Sequence, residues 1–247
     1  MKNVLQQTIA QLGWLNGCLY LLDRVLARLS ANRIALFKYQ FVAQPVGRAR
    51  LDLRRGASIT VELLSRREQL PSSYPRPAAV LDQRYAQGAQ SLAAWRGGEL
   101  IGFLWLLVGA YSEDEVRVRY CPDAAHVAWD FDVYVRPEDR LGWAFRRLWE
   151  EARRLLQARG VHWSCSRISA FNPASLRAHA RLGAVRLGSA TFLRCGNWQW
   201  MVATLPPYLH FSASPSSCPQ LLLDTSRLSS SATEEPPCRH LNESESS

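Results

Sequence analysis

The segment that decides the fold runs from His126 to Ala152 and reads HVAWDFDVYVRPEDRLGWAFRRLWEEA. Its first ten residues alternate between apolar and other side chains, which predicts a β-strand. A short turn that contains one glycine, Gly142, separates this strand from a run with helical periodicity. The apolar members of that run are Leu141, Phe145, Leu148, Ala152 and Leu155. The segment therefore predicts a strand, a tight turn and a helix that covers a sheet.

The start of this helix has the character of an anion site. The first N–H groups of a helix lack intrahelical acceptors, and the helix dipole places positive charge there. Arg140, two residues before Gly142, adds a formal charge. Two interpretations follow from the residues alone: a loop that holds a phosphate, and an ordinary strand-to-helix connection.

Two carboxylates belong to the strand that leads into this turn. Strict alternation predicts that Asp130, Asp132 and Tyr134 share one face, and that the apolar residues Phe131, Val133 and Val135 share the other. Burial of two unpaired carboxylates is costly, so the pair indicates a cleft. Ion pairing with some of the many arginines is the alternative.

The surrounding sequence predicts further strands and short helices. The apolar runs SLAAW and ELIGFLWLLV are joined by Arg96-Gly97-Gly98, which predicts a tight antiparallel hairpin. Strands are also predicted over residues 34–43 and 58–64, and a helix over 78–86. After the strand in GVHWSCSRISA, Asn172 and Pro173 predict the N-cap and first residue of a second short helix, which ends at Gly183. His179 lies seven residues after Asn172, two turns along one side of that helix.

This order of motifs resembles the GNAT acyltransferase superfamily. The likeness rests on VRPEDRLGWA after a strand and on NPASLRAHARLGA after the next strand, and it covers roughly Ile59 to Leu205. The second motif keeps the family spacing from its asparagine to its glycine. The first departs from the usual arginine-x-x-glycine-x-glycine: Arg140 precedes a single glycine at a spacing one residue shorter, and the family spacing would instead place Asp139 at the arginine position.

The resemblance implies a mixed, mostly antiparallel sheet flanked by helices and an N-acyltransferase that uses acetyl-CoA or another acyl-CoA. It implies direct transfer to an amine, with Asp130 or Asp132 as the base and His179 as the proton donor to the leaving thiolate. The cofactor contacts that it implies are Val133, Val135, Arg140, Leu141, Gly142, Trp143, Ala144 and Asn172. A non-catalytic GNAT-like module that binds CoA or a protein is the alternative.

Composition narrows the classes of partner and site. The net charge is +9, and all but two of the 30 basic residues are arginines. A basic chain suggests an anionic partner, but the arginines are spread along the sequence rather than clustered with aromatics, which argues against nucleic acid. The six cysteines form no CxxC pair, so no metal site is predicted and reduced cytoplasmic thiols are expected. GxGxxG, Walker and GxSxG motifs are absent from the sequence.

Three regions are predicted along the chain: an N-terminal amphipathic helix over 1–33, the acyltransferase domain over 34–206, and a disordered Ser/Pro/Glu-rich tail over 207–247. The leucine stripe Leu5, Ile9, Leu12, Leu15, Leu19, Leu22, Leu26 and Leu29 defines the helix. We expect Leu12, Leu19 and Leu26 to bury against the domain, with attachment to a membrane surface as the alternative. The acceptor amine and the oligomeric state are left open, and Ser65 to Pro77 is the candidate acceptor loop.

Overall fold

The fold is built on one large sheet, seen in a computed structural model that describes residues 6, 9–47, 56–123, 126–214 and 216–229. The nine strands of this sheet lie in the order β11-β10-β9-β1-β8-β7-β4-β3-β2, and β12-β6-β5 form a second, smaller sheet. The strands are β1 Ile34–Pro45, β2 Thr60–Leu64, β3 Gln90–Arg96, β4 Glu99–Val108, β5 Tyr111–Ser112, β6 Arg119–Pro122, β7 Val127–Val135, β8 Trp163–Ser169, β9 Val185–Cys195, β10 Trp198–Ala203, β11 Leu209–Ser212 and β12 Gln220–Leu223.

Helices cover both faces of the large sheet, as the mixed α/β prediction requires. They are α1 Trp14–Leu29, α2 Ala78–Ala86, α3 Ala144–Ala158, α4 Pro173–Arg181 and the short α5 Ser226–Ser229. Residues along β4 alternate between two cores. Phe103 and Trp105 pack with Leu81 of α2, whereas Leu104 and Leu106 pack with Leu148 of α3.

The central hairpin forms as predicted. β3 and β4 pair in antiparallel fashion up to Arg96 and Glu99. Gly97 and Gly98 connect them with φ values of +57° and +80°. Both angles lie in the left-handed region that glycine adopts without steric cost, and they suit the twist of a two-residue hairpin.

The sheet opens at its centre, between β7 and β8. These two strands are parallel and pair over four residues, from Val127 with Trp163 to Asp130 with Ser166. Beyond Asp130, β7 continues to Val135 with β4 as its partner, and β8 continues to Ser169 with β1 as its partner. The two strands therefore separate, and each turns an open edge toward the gap.

A β-bulge at Asp132 places the β7 side chains on other faces than those predicted. Asp132 and Val133 lie opposite the single residue Leu104, and Asp132 has a φ of +49°. The extra residue reverses the alternation, so Asp130 lies on the α3 side of the sheet while Asp132 lies on the α2 side. The prediction that the two aspartates share a face was wrong because strict period-two alternation does not allow for a bulge.

The leucine stripe of α1 divides between the domain and solvent. Leu12, Leu19 and Leu26 are half-buried, whereas Leu15, Leu22 and Leu29 are exposed, and Leu5 lies outside the described residues. The helix is fixed to the domain through the Asp23 carboxylate, which accepts the Leu36 N–H at 2.9 Å. Within the described part of the chain, the helices are too short or too polar to span a membrane.

The C-terminal boundary was placed too early. Residues 209–212 form β11 of the large sheet, and residues 220–223 form β12, which pairs in parallel with β6. Leu221 and Leu223 are fully buried while Leu222 between them is 52% exposed. Serine and proline dominate the composition of this region and obscured that short period-two signal. Residues 230–247 of the predicted tail lie outside the described residues.

Candidate active site

A cleft of 590 Å³ fills the gap between β7 and β8. Its floor is the separated strand ends, and its walls are the first turns of α3 and one side of α4. Five of the eight predicted cofactor contacts line this cleft: Val133, Val135, Arg140, Gly142 and Asn172. The three predicted catalytic residues, Asp130, Asp132 and His179, line it as well. We call this the donor cleft, after the acyl donor that the sequence resemblance implies.

Asp130 lines the donor cleft at the last β7 position that pairs with β8. Its side chain is 1% exposed, and Oδ1 accepts a hydrogen bond from the Ser164 hydroxyl at 2.5 Å. Oδ2 of Asp130 and Oγ of Ser166 are buried without a hydrogen-bond partner among the described residues. Burial raises the pKa of Asp130 from its usual value to about 7. A carboxylate in this state can accept and return a proton near neutral pH.

His179 is buried in the wall of the same cleft. Its ring meets Trp149 edge-on at 5.7 Å between centroids, and Phe145 at 6.5 Å. Burial lowers its pKa to about 4. The imidazole is therefore neutral at pH 7, which argues against its predicted role as the proton donor to a leaving thiolate.

Some backbone N–H groups of the turn before α3 already have acceptors within the turn. The Gly142 N–H donates to the Asp139 carbonyl at 2.9 Å, so the amide predicted to face a phosphate is already engaged. The N–H groups of Ala144, Phe145 and Arg146 donate to no backbone carbonyl in the part of the chain that the structure describes. The N–H groups without a backbone acceptor therefore lie in the first turn of α3 rather than at Gly142.

Two arginines flank this first turn. Arg140 lines the donor cleft and donates through Nε to the Val135 carbonyl at 3.2 Å, and the Arg146 guanidinium lies 4.8 Å from the centre of the Trp143 ring. Leu141, by contrast, points fully into solvent. Asp139, the residue at the family spacing, is buried and holds Arg96 and Arg136 as ion-pair partners. Asp139 therefore stabilises the turn, and Arg140 and Arg146 supply the charge at the cleft.

A second cavity, of 420 Å³, lies on the α2 side of the sheet. It shares Phe131, Asp132 and Arg167 with the donor cleft, so the two cavities meet where β7 and β8 separate. The predicted acceptor loop, Ser65 to Pro77, lines this cavity through Arg76 and Pro77. We call it the acceptor cavity.

Asp132 serves as the centre of an ion-pair network in the acceptor cavity. Its Oδ2 accepts from Arg76 Nε at 2.7 Å and from Arg84 Nη1 at 2.5 Å, and its Oδ1 accepts from Arg76 Nη2. Arg84 is nearly buried and also donates to Asp114 at 2.8 Å. Both oxygens of Asp132 are engaged by guanidinium groups, so the alternative of ion pairing holds for this aspartate.

Asp114 and Glu115 of the acidic run Glu113-Asp114-Glu115 line the same cavity. Glu113 is buried against Arg167, and burial raises its pKa to about 7. Glu115 accepts from the Tyr39 hydroxyl at 2.9 Å and pairs with Arg167 at 2.8 Å, yet half of its side chain is exposed. Among the described residues, no group of three or more potential ligands has a metal-binding arrangement.

Sequence reasoning missed Ser164, Ser166 and Arg146. The two serines occupy alternate positions of the central strand β8, the same period-two spacing that singled out Asp130 in β7. Arg146 follows Gly142 by four residues and so lies one helical turn along. Both signals were present in the sequence, but each acquires meaning only when the partner strand and the cleft are known.

Comparisons with known proteins give a fold-level likeness. No family model matches the chain, and the search of curated proteins found no match. One similar solved structure is a conserved protein of unknown function from Staphylococcus epidermidis, at 10% identity over 70% of this chain and 67% of that one, with a TM-score of 0.41.

Two further neighbours are described as acetyltransferases. An aminoglycoside acetyltransferase from an uncultured soil metagenomic sample is 10% identical over 51% of this chain and 88% of that chain, with a TM-score of 0.37. A GCN5-related glucosamine N-acetyltransferase region of a fungal multi-domain β-N-acetylglucosaminidase is 14% identical over 67% of this chain and 22% of that chain, with a TM-score of 0.43. The structural neighbours thus include GNAT acetyltransferases at low identity, and scores of this size assign no activity.

Proposed function

We propose that this protein is an N-acyltransferase that moves an acyl group from acyl-CoA to an amine. The observation that carries the proposal is the meeting of two cavities at one gap in the sheet. The donor cleft on the α3 side and the acceptor cavity on the α2 side both border Phe131, Asp132 and Arg167. Two substrates brought together through this gap react directly, because proximity and orientation replace a bimolecular encounter.

The donor cleft has the groups that an acyl-CoA requires. The pyrophosphate would accept hydrogen bonds from the N–H groups of residues 144–146, between the side chains of Arg140 and Arg146. The amides of the pantetheine arm would pair with the open edge of β7 near Val133 and Val135. The thioester would then lie near the point where β7 and β8 begin to separate, where Asp130 is buried.

Asp130 is the group best suited to move the proton. As the amine nitrogen bonds to the acyl carbon, it loses a proton, which the Asp130 carboxylate accepts. The carbon–sulfur bond then breaks, and the same proton passes to the CoA sulfur. The Asp130 pKa of about 7 permits both proton transfers at neutral pH. His179, which is neutral at this pH, packs in the wall of the cleft.

The acceptor cavity favours a cationic amine. Arg76, Arg84 and Arg167 are each engaged by carboxylates, whereas Glu115 has 51% of its side chain exposed. Glu115 is thus the most exposed charged side chain of the cavity lining, and its carboxylate would attract the ammonium form of the acceptor, which releases one proton to solvent before the neutral amine attacks.

Binding and turnover test the proposal separately. Acetyl-CoA binding is measured by calorimetry for the parent, for Arg146→Gln and for Arg154→Gln, a control on the same helix whose arginine pairs with Glu151 on the exposed side. Loss of a charged contact costs about 1.5–3 kcal/mol, so Arg146→Gln should weaken binding about tenfold or more while the control binds like the parent. Failure of the parent to bind any acyl-CoA overturns the proposal. Binding without thiol release across a panel of amines indicates the non-catalytic module instead.

A further inference from the structure

The hairpin of β10 and β11 exposes an apolar surface at one edge of the large sheet. We call its five residues the aromatic patch: Trp198, Trp200, Val202, Leu209 and Phe211. They lie on one face because Trp200 pairs with Phe211, and Val202 with Leu209, across the hairpin. The rings of Trp200 and Phe211 are 5.1 Å apart, and those of Trp198 and Trp200 are 6.3 Å apart. The exposed fractions of these side chains range from 40% to 70%.

The patch is large for the surface of a monomer. An aromatic side chain has about 150–250 Å² to bury, so three half-exposed rings with a valine and a leucine leave on the order of 500 Å² of apolar surface in contact with water. Each partner of a stable complex buries about 800 Å² in all, around an apolar centre of this kind. The patch therefore has the size of an interface core.

The charge of this region argues for an uncharged partner surface. Residues 198–212 contain no lysine, arginine, aspartate or glutamate, in a chain that carries 51 such residues. Nucleic acid and anionic lipid are recognised by clustered basic residues, and these are absent from the hairpin. A neutral apolar surface is complementary to a copy of itself.

The remaining segments of this chain do not offer a suitable cover. Residues 230–247 contain one large apolar side chain, Leu241. Residues 48–55 contain two leucines among four arginines and an aspartate, and residues 1–5 contain Val4 and Leu5 beside Lys2. None of these segments has a phenylalanine, tyrosine or tryptophan side chain to pack against three aromatic rings. A cover of matching composition is found in the sequence of the hairpin itself.

From these observations we infer that the chain forms a homodimer in which the aromatic patches of two copies pack against each other about a two-fold axis. Such an interface is isologous, so the same surface serves both partners and the assembly closes at two subunits. The inference is independent of the proposed acyl transfer, because the patch lies outside both cavities.

Sedimentation velocity of the full chain, from low micromolar to about 100 µM, tests the inference. The parent should show a species of twice 27.9 kDa. A lysine at the centre of the interface must be buried unpaired, so Trp200→Lys and Phe211→Lys should each raise the dissociation constant at least about thirtyfold. Leu22→Lys is the matched control, since Leu22 is an apolar side chain of α1 that is 47% exposed. It should dimerise like the parent.

Several results would overturn the inference. These are a parent that is monomeric throughout the range, dimers that persist in both patch variants, and a dimer that is lost in Leu22→Lys instead. A monomeric parent that co-sediments with phosphatidylcholine vesicles would identify lipid as the occupant. Far-UV circular dichroism checks that each variant is folded, and Val202→Lys replaces any patch variant that is not.

Discussion

Removal of the charge on Asp132 should reduce stability, because this carboxylate holds two arginines beside the gap in the sheet. In Asp132→Asn the side-chain shape is kept, but Arg84 is left with Asp114 as its carboxylate partner and Arg76 loses its partner. The exposed fractions of the Arg84 and Asp132 side chains are 6% and 16%. Breaking a buried ion pair costs about 3–5 kcal/mol, and the residual exposure of Asp132 favours the lower end of that range.

A loss of about 3 kcal/mol lowers Tm by roughly 6–12 °C in a domain of this size. Thermal and urea unfolding of Asp132→Asn should therefore show a clear loss of stability. Asp82→Asn is the control, because its partner Arg67 and Asp82 itself are 36% and 63% exposed, and such surface pairs contribute less than about 1 kcal/mol. If the two variants unfold alike, Asp132 does not hold the network and the base role returns to it.

Three further outcomes follow from the site and the fold. In Asp130→Asn, turnover should fall about a hundredfold or more with acyl-CoA affinity unchanged. The activity of the parent should rise with pH around the Asp130 pKa of about 7, and this rise should be absent from the variant. An unchanged pH profile would contradict the role of Asp130 as the base. The Asp130 pKa is raised on folding, so the parent should also lose stability as pH rises from about 4 to 7; denaturant titrations of Asp130→Asn should show a smaller loss, because Glu113, whose pKa burial also raises to about 7, still contributes. Deletion of residues 230–247 should leave Tm unchanged, whereas deletion of 216–247 should lower it by several degrees. The reason is that burial of Leu221 and Leu223 contributes about 1.5–3 kcal/mol each. If both truncated proteins melt at the same temperature, the packing of β12 is refuted.

Local signals in the sequence predicted the elements whose geometry depends on neighbouring residues. The hairpin at Gly97 and Gly98 formed because only glycine accepts both angles without cost. The N-cap at Asn172 formed because its side chain accepts the Ser175 N–H at 3.1 Å. The helix over 78–86 was predicted with its observed bounds. Each of these features depends on residues that lie close together in the sequence.

Features that depend on distant partners were missed or misplaced. The insertion of β1 between β8 and β9 pairs residues far apart in the sequence, and no local pattern specifies it. β12 is buried through its pairing with β6, about a hundred residues earlier, so its composition alone suggested an exposed tail. The Gly142 amide appeared free because the sequence does not show that Asp139 turns its carbonyl toward it.

The bulge at Asp132 is a local feature with distant consequences, because one extra residue in β7 decides the chemistry of both cavities. Without it, Asp130 and Asp132 would share the α3 side, and two carboxylates would compete for the same buried space at a high electrostatic cost. With it, Asp132 turns to the arginines of α2, and Asp130 is left alone among hydroxyl groups, where burial raises its pKa. Aspartate is among the residues that accept a positive φ most readily, so the side chain that benefits from the bulge is also one that permits it. The separation of the two carboxylates into a structural group and a titrating group is thus a consequence of strand register.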